Sequence, residues 1–419
     1  MLRRIVYKGL FGIFDYDIEL KNEGVTILTG PNGFGKSTIL RSIDALRNFD
    51  IIFFGELDFK EIEFYSTEHT DPIVIKKQKN NMNINGIEID IELLKNQLFK
   101  QIDRRFLHRI DEDSWIDVRT DEIMDKEKIL RTYLLNNRYD WELDNVRKED
   151  FEELQSMISE YSGETKFVKE QRIIKEIRDK RIRSEVRTIN VIDELPNQLK
   201  EKMNQVSSRY STEANNLDRT YPVRLFQTQE GINEEEYQEL LVKMNEKFEK
   251  LNRFNISDIQ SIVGEVEFQK EHSKALKVYF DDFELKYNVF EEFVNQLDIF
   301  TEIINSRLKF KEIRISREEG ISVYKSSTGE KLSLGQLSSG EKQEIILFYE
   351  LVFESEKNVH LLIDEPEISL HIEWQLKFMD DLLRIAKHKN FKVTVATHSP
   401  QIINNHWDIQ VDLGEMYGN

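Results

Sequence analysis

Along the first fifty residues the apolar positions form three short runs and then take up helical spacing. Ile5, Tyr7 and Leu10 belong to the first run; Ile13, Phe14, Tyr16, Ile18 and Leu20 form the second with Asp15, Asp17 and Glu19 between; Val25 to Leu28 is a compact apolar run. Alternation with period two predicts half-buried strands, and the compact run predicts a strand covered on both faces. Ile39, Leu40, Ile43 and Leu46 then predict a helix. From Leu57 to Leu93 the pattern is β again, with Ile84 and Ile87 flanking Asn85-Gly86, the sequence of a two-residue hairpin turn.

Between about Glu92 and Lys309 the chain is charged, poor in Gly and spaced by threes and fours. Phe290, Phe293, Leu297, Phe300 and Ile304 set one helical stripe, and Phe167, Val168, Ile173, Ile174, Ile177 and Ile182 set a second. Pro222 should interrupt this region by pushing Tyr221 toward extended backbone. Strands return at Phe310 to Ile315, Ile321 to Tyr324 and Lys331 to Leu334. A helix from about Gly340 to Glu354, an apolar strand Val359 to Ile363, a helix from about Ile372 to Lys387 and a strand Phe391 to Thr397 follow. Apolar strands alternating with helices predict an α/β fold around a mainly parallel sheet, with an antiparallel β lobe near the N-terminus. The expected division is 1–94 and 306–419 as two halves of one head, with 95–305 a mainly helical insertion between them.

Composition narrows the function classes. The 419 residues carry 59 Lys plus Arg against 78 Asp plus Glu, a net charge of −19. Such a field disfavours sequence-independent adhesion to nucleic acid or anionic lipid, so any such contact must be local. With no cysteine, disulfides, thiolate metal sites and thiol nucleophiles are excluded together. No run of about 18 apolar residues predicts a membrane span, no signal peptide is expected at Arg3 and Arg4, and the expected location is cytoplasmic.

The chemistry starts at Gly30-Pro31-Asn32-Gly33-Phe34-Gly35-Lys36-Ser37-Thr38, a GxxxxGK[ST] loop between the apolar strand and the helix. Asn32, Gly33, Gly35 and Thr38 belong to a loop whose backbone N–H groups can converge on phosphate oxygens. Lys36 reaches toward the β and γ phosphates and Ser37 is placed to ligate Mg²⁺, so ATP with Mg²⁺ is the expected occupant. Val359 to Pro366 delivers Asp364 and Glu365 at the end of a second apolar strand. Asp364 is expected to hold Mg²⁺ and Glu365 to orient or deprotonate the attacking water. Leu337 to Gln343 opens a helix, where Ser339 and the N–H of Gly340 offer a second anion site; a serine N-cap with Glu341 in a capping box is the plainer alternative. His398, just past the strand Phe391 to Thr397, can address a γ-phosphate.

In this order the motifs resemble the ABC-type ATPase superfamily: phosphate loop GPNGFGKST, signature LSSGEKQ, Walker B segment HLLIDEP, D-loop Ser369-Leu370-His371 and switch His398. The strings VATHSPQIINNHWDIQV, IDEPEISLHIEWQ and LDRTYPVRLF are similar to those of compact bacterial ATPases of anti-phage systems: the PARIS ATPase subunit above all, with OLD, Gabija and Septu ATPases as relatives. The resemblance implies a homodimer or higher homo-oligomer built on an ATP sandwich, with Ser339 and Gly340 of one subunit closing over ATP held by Lys36 of another. It also implies a separate effector, a TOPRIM-like or HNH nuclease, and a phage trigger protein. With 21 residues after His398 in this sequence, the chain is not expected to be its own nuclease. The glutamine of the family's Q-loop is not identifiable, since the first Gln past the phosphate loop is Gln78.

An ATP-driven sensor and scaffold is therefore the leading expectation, and a RecF-like or SMC-like DNA-repair ATPase the alternative. The alternative would use a basic stripe on a helix: Lys166, Lys169, Arg172, Lys175, Arg178, Lys180, Arg181, Arg183 and Arg187. That stripe is interleaved with Glu170, Glu176, Asp179 and Glu185, so it reads equally as a solvated face or as a dock for an acidic trigger protein.

Overall fold

The computed structural model describes residues 2–21, 24–101, 107–111, 114–117, 122–126, 128–131, 148–162, 164–168, 174–178, 186–256, 267–355 and 357–418. They form two compact units, Met1–Ile189 with Ser355–Asn419, and Asn190–Glu354. Residues 95–189, expected within the insertion, thus lie in the first unit, and 306–354, expected with the head, in the second.

The first unit is built on a five-stranded sheet in the order Glu164–Val168, Val359–Asp364, Lys392–Ala396, Val25–Thr29, Gln410–Asp412. Every pairing in it is parallel. Val25–Thr29 and Val359–Asp364 are buried at every position, as their compact, mainly apolar runs predict. The register matters for chemistry: Ala396 lies opposite Asp364 on one side and Leu28 on the other. The strand leading to His398 therefore separates the phosphate-loop strand from the one carrying the two carboxylates.

A six-stranded antiparallel sheet accompanies it, in the order Phe14–Glu19, Leu2–Leu10, Glu61–Ser66, Ile73–Gln78, Asn81–Ile84, Ile87–Asp90. The turn at Asn85-Gly86 forms as expected, with φ of 47° and 94° and Ile84 opposite Ile87. Tyr7 is buried in this lobe against the helix Lys36–Asn48, its hydroxyl bonded to Ser42.

The described part of the basic stripe lies on strands rather than on a helix. Lys166 lies on the sheet-edge strand Glu164–Val168, Lys175 and Arg178 on Ile174–Arg178, and Arg187 on Val186–Asn190. The last two strands pair with each other. Lys169, Arg172, Lys180, Arg181 and Arg183 lie outside the described residues. Thr165, Val168, Ile174, Ile177, Val186, Thr188 and Ile189 are β-branched, and that preference outweighs an apolar spacing that is also compatible with a helix.

One buried group gives the first unit a pH response. His360, on the carboxylate-bearing strand, sits 2.8 Å from Thr394 Oγ1, and burial holds its pKa down to about 3 from an ordinary 6.5. The unfolded chain takes up this proton below pH 6.5 and the folded chain does not, so stability present above pH 6.5 is lost as pH falls toward 3. The expected slope is about 1.4 kcal/mol per pH unit in denaturant titrations, and His360→Gln should flatten it.

The second unit contains helices Val191–Gln227, Glu234–Arg253 and Ser273–Asn305, a three-stranded antiparallel sheet (Lys311–Ser316, Gly320–Lys325, Lys331–Leu332) and the helix Ser339–Tyr349. The break expected at Pro222 does not occur: Val191–Gln227 runs through it. With no N–H, Pro222 removes one donor from the helical ladder, the partner of the Asp218 carbonyl, and the rest of the helix carries through; one residue earlier the carbonyl of Leu217 accepts from Thr220 Oγ1 at 3.2 Å and Arg224 Nη2 at 2.8 Å. Arg307 and Glu344 form a buried ion pair behind Ser339–Tyr349, with the guanidinium 4.8 Å from the Phe348 ring.

Candidate nucleotide-binding site

At the end of Val25–Thr29 the chain turns through Gly30, Gly33 and Gly35, all at positive φ, and enters the helix Lys36–Asn48. Gly35 is the N-cap at φ 87° and supplies no side-chain cap, which leaves the first N–H groups of a 13-residue helix for an external anion. A Cβ on Gly33 would meet nothing within 4 Å, so the loop is open on that side. Asn32 is exposed there, and Ser37 and Thr38 are half-buried on the first turn.

Lys36 is buried and turns back over the loop. Its ammonium donates to Gly30 O at 2.9 Å and Pro31 O at 3.3 Å, and meets His398 Nε2 at 2.5 Å. Burial pushes its pKa below the ordinary value, against the pull of Glu365, Asp364, Glu367 and Asp412. A buried cation with two carbonyls and an imidazole for company suits an arriving anion. Ser37 Oγ donates to Asp364 Oδ1 at 3.1 Å. Burial pushes the Asp364 carboxyl above the usual range, opposed by the Ser37 hydrogen bond and by Arg41 and Lys36. One hydroxyl beside one carboxylate is a donor set that suits Mg²⁺ shared with substrate phosphates and water. Among the described residues no group of three His, Asp or Glu could hold a metal alone.

Glu365 follows at φ 44°, ψ 59°, a left-handed conformation unusual for a side chain of this type. Its N–H is fixed to Ala396 O at 2.8 Å, and its Oε1 lies 3.6 Å from His398 Nε2. The structure thus brings Lys36, Ser37, Asp364, Glu365 and His398 together. Ser339 and Gly340 start their helix in the second unit, where the capping box belongs to the neighbour: Ser338 Oγ accepts from the N–H of Glu341, and Glu341 Oε2 accepts from the N–H of Ser338. The exposed Ser339 carries no capping bond. The side chain of Ser369 lies outside the described residues, while His371 caps the helix Ile372–Lys389.

Sequence reasoning missed Glu367. Its Oε1 accepts from Thr397 Oγ1 at 2.6 Å and from the N–H groups of His398 at 2.8 Å and Ser399 at 3.1 Å. One carboxylate oxygen therefore ties the turn after Glu365 to the segment presenting His398. Phe11 was also missed: 38% exposed at the turn between Leu2–Leu10 and Phe14–Glu19, it would lie 3.2 Å from a Cβ on Gly35. The string IDEPEISL marked Glu367 only as a third acid, and no local pattern pairs it with residues thirty positions away.

Comparison with known proteins agrees with this site. Residues 10–403 match the AAA_15 family model, described as an AAA ATPase domain. The probable branched-chain amino acid transport ATP-binding protein LivF of Archaeoglobus fulgidus is 50% identical over 40 residues, 10% of this chain and 17% of that protein. The phosphate import ATP-binding protein PstB of Thermococcus kodakarensis is 41% identical over 68 residues, 16% of this chain and 26% of that protein. The chain thus spans about a quarter or less of the length of these curated relatives. Among solved structures, the Pyrococcus furiosus Smc head domain bound to the C-terminal domain of ScpA aligns over 96% of this chain and 91% of its own, at 14% identity and a TM-score of 0.38. The Smc head of Thermotoga maritima aligns over 96% and 90%, at 14% identity and a TM-score of 0.34. Neither likeness is close enough to carry a functional inference. With a phosphate loop, two strand-end carboxylates and a strand-end histidine converging in one unit, and a family match across nearly the whole chain, this chain belongs to the AAA ATPase domain family.

Proposed function

We propose that this chain binds ATP with Mg²⁺, hydrolyses it between paired subunits, and acts as the sensor and scaffold of a bacterial anti-phage system. The observation that carries the catalytic part is the convergence of Lys36 with His398, 362 positions apart, and of Ser37 with Asp364, 327 apart. Lys36 and the uncapped N–H groups of its helix bind the phosphates. Exposed Phe11 offers a ring face for the base. Ser37 and Asp364 would hold Mg²⁺, which supplies positive charge against the phosphate oxygens. Glu365 orients the attacking water and accepts its proton; His398 leaves the Lys36 ammonium and donates toward the terminal phosphate.

Pairing follows from Ser339. With the capping bond made by Ser338, its hydroxyl and the Gly340 N–H remain for a phosphate held by a second copy. Ser339→Arg should therefore leave nucleotide binding intact and lower ATP turnover by about 10²-fold. Turnover equal to the parent protein, measured at concentrations where the parent dimerises on ATP, would sink this pairing. The anti-phage role and the separate effector, a TOPRIM-like or HNH nuclease released by a phage trigger protein, rest on the flanking strings. Co-purification of this chain with a nuclease encoded beside it, and loss of that complex on infection, is the test. The four described residues of the basic stripe, Lys166, Lys175, Arg178 and Arg187, lie on strands and so lend the DNA-repair alternative no helix face.

A further inference from the structure

The three long helices of the second unit line a cavity of about 340 Å³, within the range of small-ligand sites. Its walls are flat: Tyr210, Phe248, Tyr279, Phe283, Tyr287 and Phe290 face it. Tyr210 and Phe290 lie 4.8 Å apart between ring centroids, and Phe248 and Phe283 4.7 Å apart. Tyr287 is only 3% exposed. Among the described residues its hydroxyl has no protein hydrogen-bond partner, and neither do those of Tyr210 and Tyr279. Tyr279 is 37% exposed and Tyr210 half-buried, so these hydroxyls border open space and are available to the polar edge of a ligand. Burial raises the pKa of all three, so they remain protonated and able both to donate and to accept.

The charged groups on the rim cancel. Lys286 donates to Asp218 Oδ1 at 2.8 Å, and Arg224 grips Asp282 through two hydrogen bonds, Nη2 to Oδ2 at 2.8 Å. A balanced rim gives a phosphorylated ligand no net attraction. Flat walls favour a planar ring over an alkyl chain, and hydroxyls of double character favour a ring edge with both donors and acceptors. We propose that this cavity binds a free nucleoside or nucleobase, stacked on the aromatic walls and hydrogen-bonded by Tyr210, Tyr279 and Tyr287. The site is independent of the phosphate loop and would make the second unit a sensor of a small metabolite.

Calorimetric titration of the full chain with adenosine, guanosine, cytidine and thymidine tests it, in parallel with Tyr210→Phe, Tyr287→Phe and Lys36→Ala. The tyrosine changes delete one hydroxyl and keep the ring, so folding is spared. At least one nucleoside should bind saturably, with affinity kept in Lys36→Ala and reduced about tenfold in each tyrosine variant. Absence of saturable binding by all four, unchanged affinity in both tyrosine variants, or loss in Lys36→Ala would each overturn the proposal. So would binding confined to a single-stranded oligothymidylate or to cyclohexanol.

Discussion

Replacing Glu365 by glutamine should lower the ATP turnover number by about 10²- to 10⁴-fold while nucleotide binding stays at the parental level. The size of the effect follows from the amide's inability to accept a proton, and its selectivity from where Glu365 sits. The residue is held in the left-handed region by its N–H bond to Ala396 O, which has nothing to do with the side chain. A glutamine would keep that backbone, and Lys36, Ser37 and Asp364 would keep their contacts, so phosphate binding survives. Because hydrolysis alone is blocked, the variant should accumulate as an ATP-bound pair. Steady-state turnover, nucleotide titration and size-exclusion chromatography with ATP read the three consequences, and turnover within a factor of two of the parent would show that Glu365 does not handle the water.

The largest loss of stability is expected from Arg307→Ala. Arg307 and Glu344 are 1% and 3% exposed at their side chains and paired with each other, and the guanidinium also donates from Nη1 to Ile303 O at 3.1 Å. Removing one partner of a buried pair strands the other charge, at a cost of about 3–5 kcal/mol. Glu344 lies on the helix that Ser339 begins, so the loss should fall on the second unit and weaken presentation of the signature residues. Arg307→Met combined with Glu344→Leu should recover most of the loss, since two apolar side chains leave no charge unpaired. Denaturant unfolding followed by far-ultraviolet circular dichroism distinguishes the outcomes: equal destabilisation by the single and double changes would mean that packing, not charge, makes the site sensitive.

What was legible in the sequence was local. The phosphate loop, the Asn85-Gly86 turn and the compact, mainly apolar strands each carry their signal within ten residues, and each forms as read. What was not legible required either a competition between local preferences or a partner far along the chain. The stretch Glu164–Val168 allowed helical and β readings, and its pairing with Val359–Asp364 decided for the strand. Pro222 sits within Val191–Gln227, where one missing donor is outweighed by the remaining bonds of a 37-residue helix. Ser338 and Ser339 are chemically identical neighbours, and only backbone geometry assigns the cap to the first. Glu367 gained its importance from Thr397, His398 and Ser399, whose donors no sequence pattern assigns to it.

The strand order also governs when the site can exist. Val25–Thr29 is flanked in the sheet by Lys392–Ala396 and Gln410–Asp412 and by no strand made earlier. During synthesis the phosphate-loop strand, buried at every position in the folded sheet, must wait for more than 360 residues before either neighbour emerges from the ribosome. At about 5–20 residues per second that is tens of seconds of exposure to aggregation or chaperone capture. The groups of Asp364, Glu365 and His398 therefore join the phosphate loop only after most of the chain has been made.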